Sequence, residues 1–390
     1  MPSSERVIIF GASVRAAAFS ALRAHLQPWC ADLFADADLR AFCPALRIPS
    51  HKYPYTFQEI SAKAPPGPWM YTGGLENHPA LVEFISANRP LWGNGAKALH
   101  IARSPFALAE IFRSHGIHFP TIHKRLKDIS QPERWLAKPR DGAGGTGIQF
   151  LNSIGVNTKS RRQAYFQEFI AGLPFSAVYV GLEKGTKLLG MSWQLVGEPW
   201  LHARPFHYCG SIGPLLLEPT IQSLVEQIGD VLRRECSLRG LFGVDFILSK
   251  GIPWPVEVNP RYPASGEILE YGLGIQTIVF HRAAFDAGAP KPDPLAYAPG
   301  SDSPASMVGK AILFADRSLQ FPKEGPWKSS LTGTSWLPDM PSFADIPQPG
   351  QVVKAGRPIL TFFCQCASRE GCLDSLQQTA HDLDHYLSKA

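Results

Sequence analysis

Two apolar runs joined by a turn constrain this chain more than any other feature. Residues 241–248 and 254–259 have the length and the apolar, β-branched and aromatic content of strands, and the residues between them, including Gly251, have turn chemistry. The pattern predicts a β-hairpin. With the turn centred on Gly251, Asp245 is expected to lie directly opposite Glu257.

The predicted hairpin carries the donor atoms of a metal site. Like charges that face each other across paired strands destabilise a sheet, so we expect a cation between Asp245 and Glu257. Asn259 shares a face with Glu257 because alternate residues of a strand point the same way. Two carboxylates and an amide oxygen suit Mg²⁺, and Arg261 adds a fork for phosphate oxygens. The alternative is an ordinary hairpin with solvated acids.

A glycine-rich loop upstream is a second element suited to phosphate. Residues 135–139 read as a short strand containing Lys138, whose ammonium adds a point charge, and the glycines after it let backbone N–H groups approach anionic oxygens. The loop residues are Gly142, Gly144, Gly145, Thr146 and Gly147.

The same loop matches the dinucleotide fingerprint G-x-G-x-x-G, with Glu168 at about the required spacing. That fingerprint needs a helix directly after the loop. Residues 148–151 instead read as a returning strand, which favours a glycine flap between two strands. A dinucleotide-dependent oxidoreductase is therefore the weakest alternative.

Taken in order, four motifs resemble the ATP-grasp superfamily over roughly residues 100–285. The motifs are Lys138-Pro139 with the glycine loop, and residues 165–172, 243–246 and 257–261. The layout is similar to the biotin carboxylase and carbamoyl-phosphate synthetase branch of that superfamily.

The resemblance implies a role for each matching residue. Lys138 and the glycine loop would contact the nucleotide phosphates, and Arg261 would steady the transferred phosphoryl group. Lys138 and Arg261 are therefore the candidate catalytic residues. The predicted adenine slot comprises Gln167, Glu168, Phe169 and Ile170. The predicted Mg²⁺ ligands are Asp245, Glu257 and Asn259.

Two positions depart from the superfamily's pattern. Many members carry a second phosphate-binding lysine at the start of the helix that opens the domain, where this chain has Pro105. Many also carry a ribose-binding glutamate where this chain has Pro174. Arg103 is a candidate substitute for the missing lysine, and a non-catalytic ATP-binding module stays open as an alternative.

Length and element order predict three domains of mixed α/β and α+β class, since 390 residues exceed one core. Residues 1–98 alternate strands and helices and predict a parallel α/β pre-ATP-grasp domain. Residues 99–290 form the predicted ATP-grasp nucleotide-binding domain. Residues 291–390 predict a small β-rich domain with a terminal helix, in which residues 350–362 read as a β-hairpin.

Candidate substrate residues follow from the predicted parallel sheet, because ligands bind at the carboxyl ends of its strands. Gly11, Arg15 and Gly73 lie at such ends, although a surface charge at a helix end explains Arg15 equally well. Arg204, in a loop rich in aromatic and basic residues, is a further candidate, with a packed connector as the alternative. Ser265, shortly after the hairpin, completes the set.

The amino-acid composition limits which partners and which cellular location we expect for this protein. Lysine and arginine exceed aspartate and glutamate by 38 − 33 = 5, without a basic block, so we expect no nucleic-acid partner. No apolar run approaches the ~20 residues of a membrane span, so we expect no membrane partner. Seven scattered cysteines predict reduced thiols in a cytoplasm. Cys364, Cys366 and Cys372 lack a fourth ligand and fit no common zinc spacing, so we expect ordinary thiols there.

The resemblance implies an ATP-dependent ligase that uses ATP and Mg²⁺. A small-molecule carboxylate would become an acyl-phosphate, and an amine would then displace phosphate to form an amide bond. The make-up is also similar to ATP-grasp proteins of bacterial tetrahydromethanopterin-linked one-carbon metabolism, which implies an amide in a C1-carrier cofactor. A carboxylase or a phosphotransferase on the same core stays open, as does a homodimer.

Overall fold

The computed structural model describes residues 5–153, 164–289, 306–332 and 339–388. Within these residues the strands form a parallel sheet of four strands, an antiparallel sheet of four, an antiparallel sheet of eight and a two-stranded ribbon. The predicted mixed class, with a parallel sheet at the N-terminus, is confirmed.

The N-terminal sheet is parallel, in the order β3-β2-β1-β4. Its strands are β1 (Arg6–Phe10), β2 (Gln27–Asp32), β3 (Ala45–Arg47) and β4 (Trp69–Tyr71). Its helices are α1 (Arg15–Arg23), α2 (Ala37–Phe42), α3 (Phe57–Lys63) and α4 (Pro79–Ser86). The side chains of residues 7–10 are fully buried, as expected for a parallel strand covered on both faces. The loops after β1 and β4 therefore meet at one edge.

The second sheet holds the glycine loop. Its region contains α5 (Ala96–Ala102), α6 (Pro105–Ser114), β5 (Ile122–His123), β6 (Trp135–Pro139), β7 (Gln149–Phe150) and β8 (Ala164–Glu168). Ser104 caps α6 by accepting a hydrogen bond from the Ala107 amide at 3.3 Å, and Pro105 occupies the first turn. Strands β6 and β7 are antiparallel. The glycine loop thus connects two strands, which confirms the predicted flap and excludes the dinucleotide arrangement.

The central part of the large sheet carries the predicted hairpin. Its elements are β9 (Leu173–Leu182), β10 (Gly185–Val196), β11 (Tyr208–Leu215), α7 (Pro219–Cys236), β12 (Gly240–Ser249), β13 (Ile252–Asn259), α8 (Gly266–Leu273) and α9 (Thr277–Ala283). Strands β12 and β13 pair antiparallel with Asp245 opposite Glu257, as predicted. A β-bulge follows this pair, where Phe246 lies opposite Pro255.

The C-terminal elements extend the same sheet. They are β14 (Met307–Phe314), β15 (Leu319–Gln320), α10 (Ser329–Thr332), β16 (Phe343–Ala344), β17 (Val352–Val353), β18 (Pro358–Cys366) and α11 (Arg369–Leu387). The eight-stranded order is β13-β12-β9-β10-β11-β14-β18-β16, so one sheet crosses the domain boundary placed at residue 290. The domain bounds therefore stay a prediction.

The predicted hairpin over residues 350–362 is wrong. Strand β17 pairs with β15, whereas β18 pairs with β14 and β16. The amide of Gly356 donates to the carbonyl oxygen of Ala315, and the Ala315 amide donates to the Arg357 carbonyl oxygen. These hydrogen bonds direct β18 away from β17, so the two strands join different sheets. Elsewhere, none of the helices among the described residues has the length and apolar character needed to cross a bilayer.

Candidate active site

A cavity of ≈ 530 Å³ lies where the parallel sheet, the glycine loop and the hairpin meet. Its wall combines loops after β1 and β4 with side chains from the two antiparallel sheets. Of the residues predicted from sequence, those lining it are Arg15, Gly73, Lys138, Gly144, Gly145, Gln167, Glu168, Phe169, Ile170, Asp245, Glu257, Asn259, Arg261 and Ser265. Three distant parts of the chain thus contribute to one site.

Asp245 stands at the centre of the hairpin's contribution. Its carboxylate accepts hydrogen bonds from Nε2 of Gln194 at 2.9 Å and from Nδ2 of Asn259 at 3.0 Å. Burial and the facing charge of Glu257 raise the pKa of Asp245 to about 6. A cation beside these two carboxylates would relieve that repulsion.

Glu257 is balanced by Arg103, which comes from the end of α5. Nη1 of Arg103 donates to Oε1 of Glu257 at 2.9 Å, and Nη2 donates to the Gly142 carbonyl oxygen at 2.8 Å. Burial opposes the charge of Glu257, but Arg103 and Lys138 outweigh it and lower the pKa of this carboxyl group. Arg103 therefore links the hairpin to the glycine loop, and its role as a phosphate contact stays a prediction.

Arg261 lies beside the loop that follows β4 of the parallel sheet. Its Nε donates to Oε1 of Glu76 at 2.9 Å, and its Nη2 donates to Oδ1 of Asn259 at 3.1 Å. A Cβ added at Gly73 would lie 3.4 Å from the guanidinium carbon, so this glycine gives the arginine room. These two hydrogen bonds fix the orientation of the planar guanidinium group in the cavity wall.

Lys138 is buried between the two antiparallel sheets. Its Nζ donates to Oε1 of Gln167 at 3.2 Å and to the carbonyl oxygen of Val256 at 3.1 Å. The amides of Glu168 and Phe169 bond carbonyl oxygens of neighbouring loops and so hold the predicted adenine slot in place. The ammonium group consequently lies between the slot and the hairpin.

The glycine loop covers the cavity through close backbone contact. Gly144 and Gly145 have φ of 59° and 78°, values that favour glycine. A Cβ at Gly145 would lie 1.8 Å from the carbonyl oxygen of Phe206, whereas Gly144 has open space around it. Beneath the loop, a smaller cavity of ≈ 50 Å³ is lined by Arg103, Lys138, Gly142, Thr146 and Glu257, among others. Gly147 lies against Pro139.

A buried ion cluster forms the other end of the cavity. Arg15, which is fully buried, forms ion pairs with Glu267 and with Asp345, the latter at 3.0 Å. Lys310 Nζ lies 3.0 Å from Oε2 of Glu267. Burial opposes the charge of Glu267, but Arg15 and Lys310 lower its pKa to about 2. The alternative that placed Arg15 on the surface is wrong.

Three other predicted substrate residues have different fates. Ser265 lies in the wall, with its Oγ 3.2 Å from the Ser176 Oγ. Gly11 is a packing residue, because a Cβ there would lie 1.9 Å from Oγ1 of Thr72. Arg204 is exposed and lies against Gly356, outside the cavity wall. The prediction for Arg204 is not supported because its loop turns that side chain outward.

Sequence reasoning missed several polar residues in the cavity wall or directly behind it. Glu76, Gln194, Glu267 and Asp345 contact predicted residues directly, and Lys310 contacts Glu267. Lys310 alone carried a signal, because it interrupts the otherwise apolar strand β14. The others have no local pattern and are recruited by long-range packing.

Comparisons with known proteins agree with this architecture. Residues 103–265 match the family model of the ATP-grasp domain. Over its full length the fold resembles the L-amino acid ligase from Bacillus licheniformis, with a TM-score of 0.66, 16% identity and 98% of each chain covered. Residues 103–265 are therefore similar to an ATP-grasp domain, as the motifs predicted.

Two further proteins resemble this chain. The biotin carboxylase domain of 2-oxoglutarate carboxylase from Hydrogenobacter thermophilus, solved with MgADP, ADP and bicarbonate, has a TM-score of 0.67 at 13% identity, covering 95% of this chain and 88% of that one. An uncharacterized protein of Methanocaldococcus jannaschii is 24% identical over 203 residues. That match spans 49% of this chain and 49% of the relative, about half the length of each.

Proposed function

We propose that the protein is an ATP-dependent ligase that activates a small-molecule carboxylate and joins it to an amine. The observation that carries this proposal is the convergence of facing carboxylates, a buried lysine and a glycine loop on one cavity whose far end holds a balanced ion cluster. Similarity to an L-amino acid ligase supports it.

The donor set fits Mg²⁺. Asp245 and Glu257 offer hard carboxylate oxygens on facing strands, Asn259 offers an amide oxygen, and the raised pKa of Asp245 marks a position where positive charge is lacking. These three residues would hold the ion. When bound, Mg²⁺ neutralises charge on the nucleotide's phosphate oxygens.

The chain's own residues do the positioning that phosphoryl transfer requires. Lys138 places an ammonium group between the adenine slot and the hairpin, and Arg261 offers a guanidinium fork that Glu76 and Asn259 hold in a fixed direction. The glycine loop covers the phosphates and excludes water. Phosphoryl transfer depends on positioning and charge neutralisation, so the site needs no nucleophilic side chain.

The ion cluster is suited to a substrate pair of opposite charge. Arg15 and Lys310 are cations that can attract a carboxylate, and the partly exposed Asp345 is an anion that can attract an amine. Arg15, Lys310 and Asp345 line one end of the cavity, and the fully buried Glu267 pairs with both cations. An amide product in a C1-carrier cofactor is the finer form of this proposal.

The deciding experiment measures ADP release from Mg·ATP with acids alone, amines alone and acid–amine pairs. We expect release with a matched pair, and trapping of the acyl-phosphate as a hydroxamate when hydroxylamine replaces the amine. Release with bicarbonate and no amine would favour the carboxylase. Release with transfer of phosphate to a stable product would favour the phosphotransferase.

Binding without turnover would favour the ATP-binding module. Isothermal titration with ATP, with and without Mg²⁺, separates this outcome, because Pro105 and Pro174 replace two expected nucleotide contacts. The seven cysteines are free thiols, which supports the proposed cytoplasmic location. Light scattering on the purified chain tests the homodimer.

A further inference from the structure

Three cysteines meet on the face of the eight-stranded sheet opposite the candidate active site. Their sulfur atoms, from Cys364, Cys366 and Cys372, all lie within 4.8 Å of one another. On β14, Lys310 points into the active-site cavity, and its neighbour Gly309 points to the other face, against Cys364 and Cys372. We refer to the three residues as the cysteine cluster. It is independent of the proposed ligase activity.

Local structure explains why the cysteine cluster forms. Cys364 and Cys366 share one face of β18 because they are two residues apart in a strand. Ser368 caps α11 by accepting a hydrogen bond from the Gly371 amide at 3.1 Å, and this places Cys372 in the first turn above the strand's end.

A glycine on the neighbouring strand keeps space for the sulfur atoms. A Cβ at Gly309 would lie 2.7 Å from the Cys364 Sγ and 3.3 Å from the Cys372 Cβ. Any larger residue there would separate the thiols. The absence of a side chain at Gly309 therefore leaves space that Cys364, Cys372 and Leu376 border.

The amino end of a helix lies beside the cysteine cluster. The cysteine cluster lies at the amino end of α11, a helix of 19 residues, where the exposed N–H groups create a positive field. The side chain of Arg369, in the first turn of α11, lies over the ring of Trp193 on β10 at 5.3 Å and pairs with Glu370 at 2.7 Å, so the two side chains together add no net charge to that helix end. Cys364 and Cys366 are partly exposed, so an ion can reach them, while Cys372 is buried.

We propose that Cys364, Cys366 and Cys372 bind one thiophilic metal ion, with Zn²⁺ or Cd²⁺ as the matching chemistry. In a tetrahedral site with metal–sulfur bonds of about 2.3 Å, ligand sulfurs stand about 3.8 Å apart, so small side-chain shifts suffice. Three thiols lose their protons to solvent as three metal–sulfur bonds form. A fourth position, with no protein ligand among the described residues, is left for water or a small ligand.

The experiment titrates the reduced, tag-free chain with Cd²⁺ and follows the ultraviolet thiolate-to-metal charge-transfer band. We expect about one Cd²⁺ per chain, and at least a tenfold loss of affinity in Cys366→Ser, whose side chain is partly exposed and tolerates substitution. The matched control is Cys43→Ala. Its sulfur lies 3.9 Å from that of Cys30 in the N-terminal domain, so it removes a close thiol pair outside the cysteine cluster.

Alkylation of the unaltered chain gives a second measurement that needs no variant. Zn²⁺ should slow labelling of Cys364 and Cys366 by iodoacetamide, read by peptide mass spectrometry, and removal of Zn²⁺ by a chelator should restore it. The proposal is overturned if labelling is the same with and without Zn²⁺. It is also overturned if Cys366→Ser keeps the full band, or if Cys43→Ala loses it.

Discussion

Asp245 and Glu257 face each other across β12 and β13, but their charges are balanced in different ways. Glu257 forms an ion pair with Arg103, whereas Asp245 accepts hydrogen bonds from the neutral amides of Gln194 and Asn259. The fold therefore stabilises the charged form of Glu257 and destabilises the charged form of Asp245. Removal of either charge should abolish the same activity while changing stability in opposite directions.

The first prediction concerns Asp245→Asn. Burial and the charge of Glu257 raise the pKa of Asp245 to about 6, so its charged form at pH 7 is unfavourable in the fold. The variant should gain about 1 kcal/mol in free energy of unfolding and lose ADP release from Mg·ATP. Urea unfolding and the ADP assay check the two effects. A variant that is less stable and fully active would contradict the proposed metal site.

The second prediction concerns Glu257→Gln. Loss of the Glu257 carboxylate leaves Arg103 without its ion-pair partner. Because the side chains of Arg103 and Glu257 are both partly exposed, we expect the free energy of unfolding to fall by about 1–2 kcal/mol and the variant to remain folded. Turnover should again disappear. In the double variant with Arg103→Gln, part of the lost stability should return, because no unpaired charge remains. Additive losses in the unfolding free energies would show that the ion pair does not stabilise the fold.

The hairpin and the glycine flap could be predicted from sequence because both are local. A turn between two apolar runs sets the register that brings Asp245 opposite Glu257, and a strand on each side of the glycines defines the flap. The ion cluster could not be predicted. Arg15 meets Glu267 across 252 positions of the chain and Asp345 across 330, and no sequence period connects them.

The error over residues 350–362 has the same physical origin. Two apolar segments around a turn satisfy the local pattern of a hairpin, yet partners elsewhere in the chain, on β14 and β15, compete for their edges. Local pattern likewise could not distinguish one glycine of the flap from the next. The structure does distinguish them.

The third prediction compares Gly145→Ala with Gly144→Ala. Both glycines have positive φ, so both variants carry similar backbone strain of about 1 kcal/mol. Only at Gly145 would the added Cβ meet the Phe206 carbonyl oxygen, at 1.8 Å. We expect Gly145→Ala to displace the loop and weaken ATP binding at least tenfold, and Gly144→Ala to change it less than threefold. Equal affinities in isothermal titration would show that the loop does not cover the nucleotide.

The fourth prediction concerns Arg15→Met. The substitution leaves the buried Glu267 paired with Lys310 alone and the partly buried Asp345 without its arginine, so the free energy of unfolding should fall by about 3–5 kcal/mol. Arg317→Met is the matched control, because Arg317 pairs with Asp316 at the surface and its loss should cost less than about 1 kcal/mol. Chemical denaturation measures both. Similar losses in the two variants would contradict a structural role for the cluster.

The fifth prediction concerns the acid sensitivity conferred by His281. The Leu241 amide donates to its Nδ1 at 2.8 Å, and its Nε2 lies 3.1 Å from the Trp92 carbonyl oxygen, so the neutral ring with a proton on Nε2 satisfies both contacts. Burial lowers the pKa of His281 to about 4, although the Trp92 carbonyl opposes that shift. The ordinary value of 6.5 applies to the unfolded chain.

As the pH falls from about 6.5 to about 4, the unfolded chain binds a proton at His281 that the folded chain refuses, so stability falls by on the order of 3 kcal/mol. Below pH 4 both states are protonated, and the loss stops growing. Burial raises the pKa of Asp38 to about 7, so this carboxyl group changes stability with pH in the opposite sense. The contribution of His281 is therefore measured as the difference in stability between the native chain and a variant that lacks only this histidine. Unfolding of the native chain and of His281→Gln should therefore diverge across this window, with the variant the less sensitive to acid. The exposed His51→Gln serves as the control, and parallel curves for all three proteins would refute a buried, neutral His281.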